Sequence, residues 1–349
     1  MKNSSAKVFP KGTLLIALYG ATIGKLAFLG VDAATNQAIC GIYQNESISS
    51  KFLYNYLFYK KQKLVNQGIG GAQPNISQTI LKNLDLPLPP KEAQQLIVSK
   101  IEELFSEVDK GNEELKTAQQ QLKVYRQAVL KWAFEGKLTN EDVKAGELPK
   151  GWKMQTLGDI GFWKGGGTPS KSRKDFWDNG TVLWVSPKDM KSKIINDTID
   201  KITNEAIKNS TAQLIPKGSI LFVVRSGILR RTLPVAITIS EVTVNQDLKA
   251  LTPKEVLPDY IFYYVQAKND DIRRSCSKDG TTVESIETSL LKNYPIPICP
   301  KEEEQQIVQE IESRLSVCDK IEETITNSLK QSEALRQSIL KKAFEGKLM

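Results

Sequence analysis

Lys131-Trp132-Ala133-Phe134-Glu135-Gly136-Lys137-Leu138 returns as Lys341-Lys342-Ala343-Phe344-Glu345-Gly346-Lys347-Leu348, 210 residues further along the chain. The same spacing links Arg126-Gln127 to Arg336-Gln337, Ile97-Val98 to Ile307-Val308, Pro90-Lys91-Glu92 to Pro300-Lys301-Glu302, and Leu81-Lys82-Asn83 to Leu291-Lys292-Asn293. Many identities at one fixed offset mark an internal repeat. Toward the N-terminus the offset drifts, as loops of unequal length require. Asn36-Gln37 matches Asn245-Gln246, and Pro10-Lys11-Gly12 matches Pro216-Lys217-Gly218. Each repeat is therefore a variable globular part followed by a more constant helical part. The second repeat has 64 positions between Trp152 and Pro216, whereas nine residues precede Pro10. By this logic roughly 55 residues of a full first repeat are absent.

The helical parts follow Pro89-Pro90 and Pro300. Residues 91–137 hold no proline, and Ile97, Ile101, Leu104 and Val108 through Leu122, Tyr125, Val129 and Trp132 recur at alternating steps of four and three. That is a heptad seam, and some forty helical residues would reach about 60 Å. Ile307, Ile311, Cys318, Ile321, Ile325, Leu335 and Ile339 continue the pattern in the second repeat, interrupted by Arg314, Ser328 and Ser332. A lone helix with such a stripe needs a partner. The simplest partner is the other repeat's helix, packed as a coiled coil.

Composition narrows the function. The net charge of +8 divides into +6 over 1–90, −1 over 91–150, +5 over 151–297 and −2 over 298–349. Two basic modules on near-neutral spacers suit a polyanion touched at two places. The chain has no histidine, which removes Ser–His–Asp and Cys–His catalysis and the commonest general base. Cys40, Cys276, Cys299 and Cys318 form no C-x-x-C pair, so neither a zinc site nor a disulfide framework is indicated. No apolar run approaches the ~18 residues of a membrane span. Lys2, Lys7 and Lys11 before Thr13–Leu18 loosely mimic a signal peptide. The same block recurs internally at Pro216–Val224, where no signal acts, so a cytoplasmic address is expected.

In the globular parts, 181–185, 219–224, 233–239 and 249–251 read as strands and 258–268 as a helix. Strands over 13–18 and 26–29 and a helix over 50–63 repeat them. Gly20-Ala21-Thr22-Ile23-Gly24-Lys25-Leu26 imitates a phosphate-binding loop, but that loop needs four residues between its glycines and Ser or Thr after the lysine. Candidate DNA contacts are loops rich in glycine, hydroxyl and basic residues. Gly166, Gly167, Thr168 and Ser170 lead into Lys171, Arg173 and Lys174, and glycine lets a backbone approach phosphate closely. Lys188, Arg225, Arg230 and Arg231 follow, and arginine can pair bidentately with guanine. Lys278, Thr281 and Thr282 form another polar loop. Its partner in repeat one holds Gln73 and Asn75, side chains able to read adenine.

Gly166–Ser170, Trp184–Asp189, Pro216–Ser219 with Pro10–Thr13, Gly20–Lys25, the paired Asn-Gln dipeptides, Pro87–Pro90 with Pro297–Pro300 and the terminal Phe-Glu-Gly-Lys-Leu occur in a specific order, much of it twice. Together they resemble the DNA-specificity subunit of type I restriction–modification systems, over essentially the whole chain. The resemblance implies an α+β protein with two mixed α/β target-recognition domains, the first partial, at 1–90 and 151–297. Long helices at 91–138 and 298–349, with a linker at 139–150, would form an antiparallel coiled coil. Each recognition domain would read half of a split DNA site, and the coiled coil would set the spacing and dock methylation subunits, with restriction subunits joining. S-adenosylmethionine, ATP and Mg²⁺ would belong to those partners, leaving this chain non-catalytic and without a cofactor. The glycine-rich loop and the Trp-Val-Ser block have no counterpart in repeat one. That departure leaves open a truncated or silent cassette, a recombination donor, or a subunit completed by another chain. Two other classes stay open: a coiled-coil scaffold without DNA binding, and a nuclease acting alone.

Overall fold

The computed structural model describes residues 7–68, 75–140, 142–144, 146–278 and 283–348. They form a mixed α/β chain of two compact units, one made of Met1–Gln120 with Glu322–Met349 and the other of Gln121–Ile321. Each long helix, Lys91–Phe134 and Lys301–Phe344, contributes to both units.

The second unit is built around the strand Ile220–Val223, which is buried along its whole length. It pairs antiparallel with Val235–Thr238 on one side and Leu248–Pro253 on the other. Gly161–Gly165 extends the sheet beyond Leu248–Pro253, and Ile194–Ile195 extends it beyond Val235–Thr238. A continuous apolar run is what a strand covered on both faces requires. Ile220 and Phe222 face one core, shared with helix Pro258–Ala267 and with Val129, Ala133 and Phe134 at the end of the first long helix. Leu221 and Val223 point the other way, into a core closed by a second sheet ordered Asp200–Ile202, Val182–Val185, Val242–Val244, Leu214–Ile215. A third pair joins Lys153–Thr156 to Pro295–Ile298. Tyr260 and Tyr264 carry hydroxyls into this core and donate them to the carbonyls of Pro297 (2.9 Å) and Pro295 (2.6 Å). Buried phenols need such acceptors.

The first unit repeats the centre of this arrangement without its outer strands. Leu14–Ala17 lies between Leu26–Phe28 and Ile39–Ile42, both antiparallel. Val8 pairs with Ala34 and Phe9 with Ala33, in the register that joins Leu214 to Thr243 and Ile215 to Val242 in the second unit. Strands equivalent to Gly161–Gly165, Val182–Val185, Ile194–Ile195 and Asp200–Ile202 are missing among the described residues. Burial changes accordingly. Val235–Thr238 is buried throughout, whereas two of the three residues of Leu26–Phe28 are exposed.

The repeated Phe-Glu-Gly-Lys-Leu is a helix stop. Gly136 (φ +77°) and Gly346 (φ +71°) take the left-handed conformation that glycine adopts without steric cost. Lys137 N then donates back to Trp132 O at 2.9 Å, and Lys347 N to Lys342 O at 2.8 Å. These 6→1 bonds satisfy carbonyls that a helix end leaves open.

The helix seam is only partly where the heptads predict it. In the first unit Ile97 and Ile101 pack with Ile339 and Leu340, and Arg336 lies over the Phe105 ring and pairs with Asp109. In the second unit Val129 packs in one core with Ile307 and Ile311, and Arg126 pairs with Asp319 at 2.6 Å. Tyr125, Trp132, Ile321 and Leu335, expected in the seam, are exposed. Near residue 129 the domain core takes over from the seam, drawing Leu130 and Phe134 inward and rotating Trp132 outward.

Position 94 of repeat one and position 304 of repeat two perform one task. Gln94 Oε1 accepts from Ser49 N at 2.8 Å, while its Nε2 donates to Ser47 O and Pro89 O. Glu304 Oε2 accepts from Leu257 N at 2.9 Å and is almost fully buried. Burial pushes its carboxyl up to about 6, against the pull of the Leu257 N–H and Lys301. A raised carboxyl favours folding while protonated and loses that contribution as pH rises through about 6, so the charged form costs roughly 2 kcal/mol at pH 8. E304Q supplies the amide that repeat one already uses. It is expected to stabilise the second unit by about 1–2 kcal/mol at pH 8 and by much less at pH 4.5, read from urea midpoints. A pH-independent difference would contradict this assignment.

Candidate nucleic-acid interface

The interface candidates of the second unit converge on one turn, Asn245-Gln246-Asp247. The parallel strands Val182–Val185 and Val242–Val244 end together, and Asn245 N donates to Val185 O at 2.9 Å. Asp247 N donates to Asn245 Oδ1 at 3.0 Å, forming an Asx turn. Three loops attach here.

The first is the glycine-rich loop. Gly167 N donates to Val244 O at 2.9 Å, Trp184 Nε1 donates to Gly167 O at 3.0 Å, and the Thr168 hydroxyl donates to Gln246 Oε1. A Cβ on Gly166 would collide with the carbonyls of Val244 and Asn245, and one on Gly167 with Thr211. These glycines therefore admit the chain's own backbone. This packing accounts for the absence of a side chain at both positions, and the exposed residues beyond them carry the charge. Ser170 and Ser172 hydroxyls lie 2.8 Å apart, and Trp177 Nε1 donates to Ser170 O. Arg173 lies 4.0 Å over the Phe176 ring and pairs with Asp175, whose carboxyl the guanidinium holds below the usual carboxylate range. Lys171 and Lys174 are exposed beside it.

The second loop is Ser186–Asp189. Asp189 accepts from Ser186 N and Oγ, each at 2.8 Å, and from Ile199 N at 2.9 Å. Its carboxylate ties the turn down and leaves Lys188 exposed. The third loop begins where Val224 N donates to Asp247 O at 2.8 Å. Arg225, Arg230 and Arg231 follow, all exposed. Arg230 pairs with Glu284, which lowers the glutamate's pKa, and Arg273 Nη1 donates to Arg230 O at 2.7 Å. Lys278 lies 3.8 Å from Glu287 and its N donates to Ser285 O.

Paired arginines hold the loops, while Lys171, Lys174, Lys188, Arg225 and Arg231 make no ion pair among the described residues. Such groups are available to neutralise phosphate. Gln246, exposed at the junction of the three loops, was not among the sequence candidates. Its only signal was the repeated Asn-Gln dipeptide. Gln73, Thr281 and Thr282 lie outside the described residues. Asn75 is exposed in the first unit, beside Ile76, whose N donates to Leu18 O at 2.8 Å, as Ile286 N does to Val224 O in the second. The first unit also keeps the Asx turn, with Ala38 N donating to Asn36 Oδ1.

The loop that imitates a phosphate binder is a hairpin turn between Leu14–Ala17 and Leu26–Phe28. Ile23 N, Gly24 N and Lys25 N donate to Gly20 O, Ala17 O and Thr22 O, so these amides are not free to cradle a phosphate. All four cysteines are free thiols. Among the described residues no helix is long and apolar enough to cross a membrane.

Residues 1–120 and 149–331 match the family model described as the type I restriction modification DNA specificity domain. The type I restriction enzyme EcoR124I/EcoR124II specificity subunit of Escherichia coli is 36% identical over 299 residues, covering 82% of this chain and 69% of that protein. The MjaIX specificity subunit of Methanocaldococcus jannaschii is 30% identical over 216 residues, 61% of this chain and 47% of its own length. A chain solved in work on complex assembly and conformational transition of the type I R-M system superposes with a TM-score of 0.77 at 21% identity, covering 99% of this chain and 85% of that one. The HsdS subunit from Thermoanaerobacter tengcongensis superposes with a TM-score of 0.64 at 22% identity, covering 98% and 83%. At these identities the superpositions speak for the fold.

Proposed function

The chain belongs to the type I restriction–modification DNA specificity family, and from that membership we propose that it is the DNA-reading subunit of such a system. It selects a bipartite site and docks methylation subunits, and restriction subunits complete the assembly. The observation that carries this reading is the convergence of three cation-bearing loops on the Asn245–Asp247 turn. Lys171, Lys188 and Arg225 engage phosphates, which positions the protein, and Gln246 and Arg231 reach base edges, which specifies sequence. The two long helices pair antiparallel as the spacer between half-sites. Reciprocal pairs support this: Arg336 with Asp109 in one unit and Arg126 with Asp319 in the other, each at equivalent repeat positions. The chain contributes selectivity. Methyl transfer from S-adenosylmethionine and ATP-driven, Mg²⁺-dependent cleavage belong to the partners.

The test is co-expression with the methylation subunit of the same system, followed by mapping of methylated adenines in host DNA. Methylation at a two-part sequence with a fixed gap is expected. Methylation without a shared sequence, or none above the level of the methylation subunit alone, would overturn the proposal.

A further inference from the structure

The cation-bearing loop that starts at Arg225 is fixed at its far end to the helices Pro258–Ala267 and Asn269–Ser275. Asn269 Oδ1 accepts from Leu233 N at 2.8 Å, and Asn269 Nδ2 donates to Leu233 O at 2.8 Å. Arg273 Nη1 donates to Leu229 O and Arg230 O at 3.3 and 2.7 Å. Loop and helices therefore form one platform. Where it meets the first long helix it leaves an open cavity of about 520 Å³, bordered by Gln127, Arg231, Lys268, Asn269 and Arg274 among others.

Charge around this cavity is unbalanced. Asp270 pairs with Arg273 at 3.2 Å, and Asp271 accepts the Tyr294 hydroxyl. Arg231, Lys268 and Arg274 are exposed and make no ion pair among the described residues. Arg274 Nε donates at 3.2 Å to the carbonyl of Asp270, in its own helix. Positive charge thus exceeds negative, and the remaining side chains around the cavity are neutral. The first unit shows a similar juxtaposition. Lys61, in the helix Ser50–Asn66, lies against Gly24 of the hairpin turn that follows Leu14–Ala17. Lys25, the next residue of that turn, and Lys63, in the same helix, are exposed. None of these three lysines makes an ion pair among the described residues.

We infer that the cavity beside Arg231 is a phosphate seat on the path of the duplex, with Lys268 and Arg274 as its cations. It takes a backbone phosphodiester next to the bases that Arg231 reaches. This seat rests on the DNA-reading function proposed above. It extends the duplex-facing surface from the three recognition loops onto the helical side of the second unit, alongside Gln127 of the first long helix. Contacts of this kind fix register and orientation and carry no sequence information. Lys268 and Arg274 are positioning residues.

The test measures binding of the full chain to a fluorescein-labelled duplex of mixed sequence, about 30 base pairs long, as salt is raised. K268A/R274A is expected to bind roughly tenfold more weakly at moderate salt, with the slope of log affinity against log salt lowered by about two. The control is K150A/K153A, which removes the same charge from two exposed residues of the same unit. Lys153 pairs with Ile298, just before the second long helix. The bond from Leu257 N to Glu304 sets the start of that helix at the opposite end of Pro258–Ala267 from Lys268. The control should keep the wild-type slope to within about half a unit. Both variants should keep the wild-type far-UV circular dichroism. Co-expressed with the methylation subunit, K268A/R274A should methylate the same sequence as the wild type, at lower occupancy. A steep wild-type slope that K268A/R274A lowers no more than the control does would overturn the seat and leave DNA reading standing. A changed methylated sequence would overturn the positioning role. A wild-type chain with no salt-dependent duplex binding would overturn both the seat and the function it rests on.

Discussion

Replacing Phe134 with alanine is expected to cost the second unit about 3–5 kcal/mol, the range for removing a buried aromatic. Phe134 is the last residue of the first long helix and meets Tyr260 and Tyr264 edge-on, each at 5.1 Å between ring centroids. It is almost fully buried among strand, helix and long-helix residues that share one core. Truncation opens a cavity and loosens the two tyrosines whose hydroxyls are bonded to Pro297 and Pro295. All five tryptophans, at 132, 152, 163, 177 and 184, lie in this unit, so tryptophan fluorescence during urea unfolding reports it selectively. A loss below about 1 kcal/mol would mean that Phe134 does not join the helix to the core in the way described.

The second large effect concerns charge. Alanine at Lys171, Lys188 and Arg225 together is expected to weaken duplex binding on the order of a hundredfold at moderate salt, and to lower the slope of log affinity against log salt by about three. These residues are exposed on the three loops that meet at Asn245–Asp247 and are not held in ion pairs among the described residues. Their removal leaves the structural pairs Arg173–Asp175 and Arg230–Glu284 intact, so the fold should persist by circular dichroism. An unchanged slope would place the contacts elsewhere.

Much of this organisation was legible because it is written in local chemistry. Buried strands such as Ile220–Val223 and Val235–Thr238 are apolar runs bounded by turns, and the structure trims their predicted ends by a residue or two. The long helices follow from the heptad pattern, and the repeated glycine stop defines their ends. Lys153–Thr156 was not legible: Lys-Met-Gln-Thr has no strand signature and is a strand because Pro295–Ile298 lies beside it. Tertiary packing likewise removed Trp132 and Leu335 from the seam that periodicity assigns them.

In the candidate site, residue type was informative and role was not. Gly166 and Gly167 stand out in sequence, but only the carbonyls of Val244 and Asn245 and the side chain of Thr211 reveal why a side chain is excluded. The Arg173–Asp175 pair is visible from spacing. The Arg230–Glu284 pair spans 54 residues and depends on the fold. Gln246 reads as one half of a repeated dipeptide until the Asx turn sets it between the three loops.

The most direct measurement is the salt dependence of duplex binding by the wild-type chain, in the titration used for the triple variant. Steep, linear loss of log affinity with log salt, with a slope at least about three units larger in magnitude than the variant's, is the predicted result. Affinity indifferent to salt, or a slope the three substitutions leave untouched, would contradict the assignment of these loops as the duplex-facing surface.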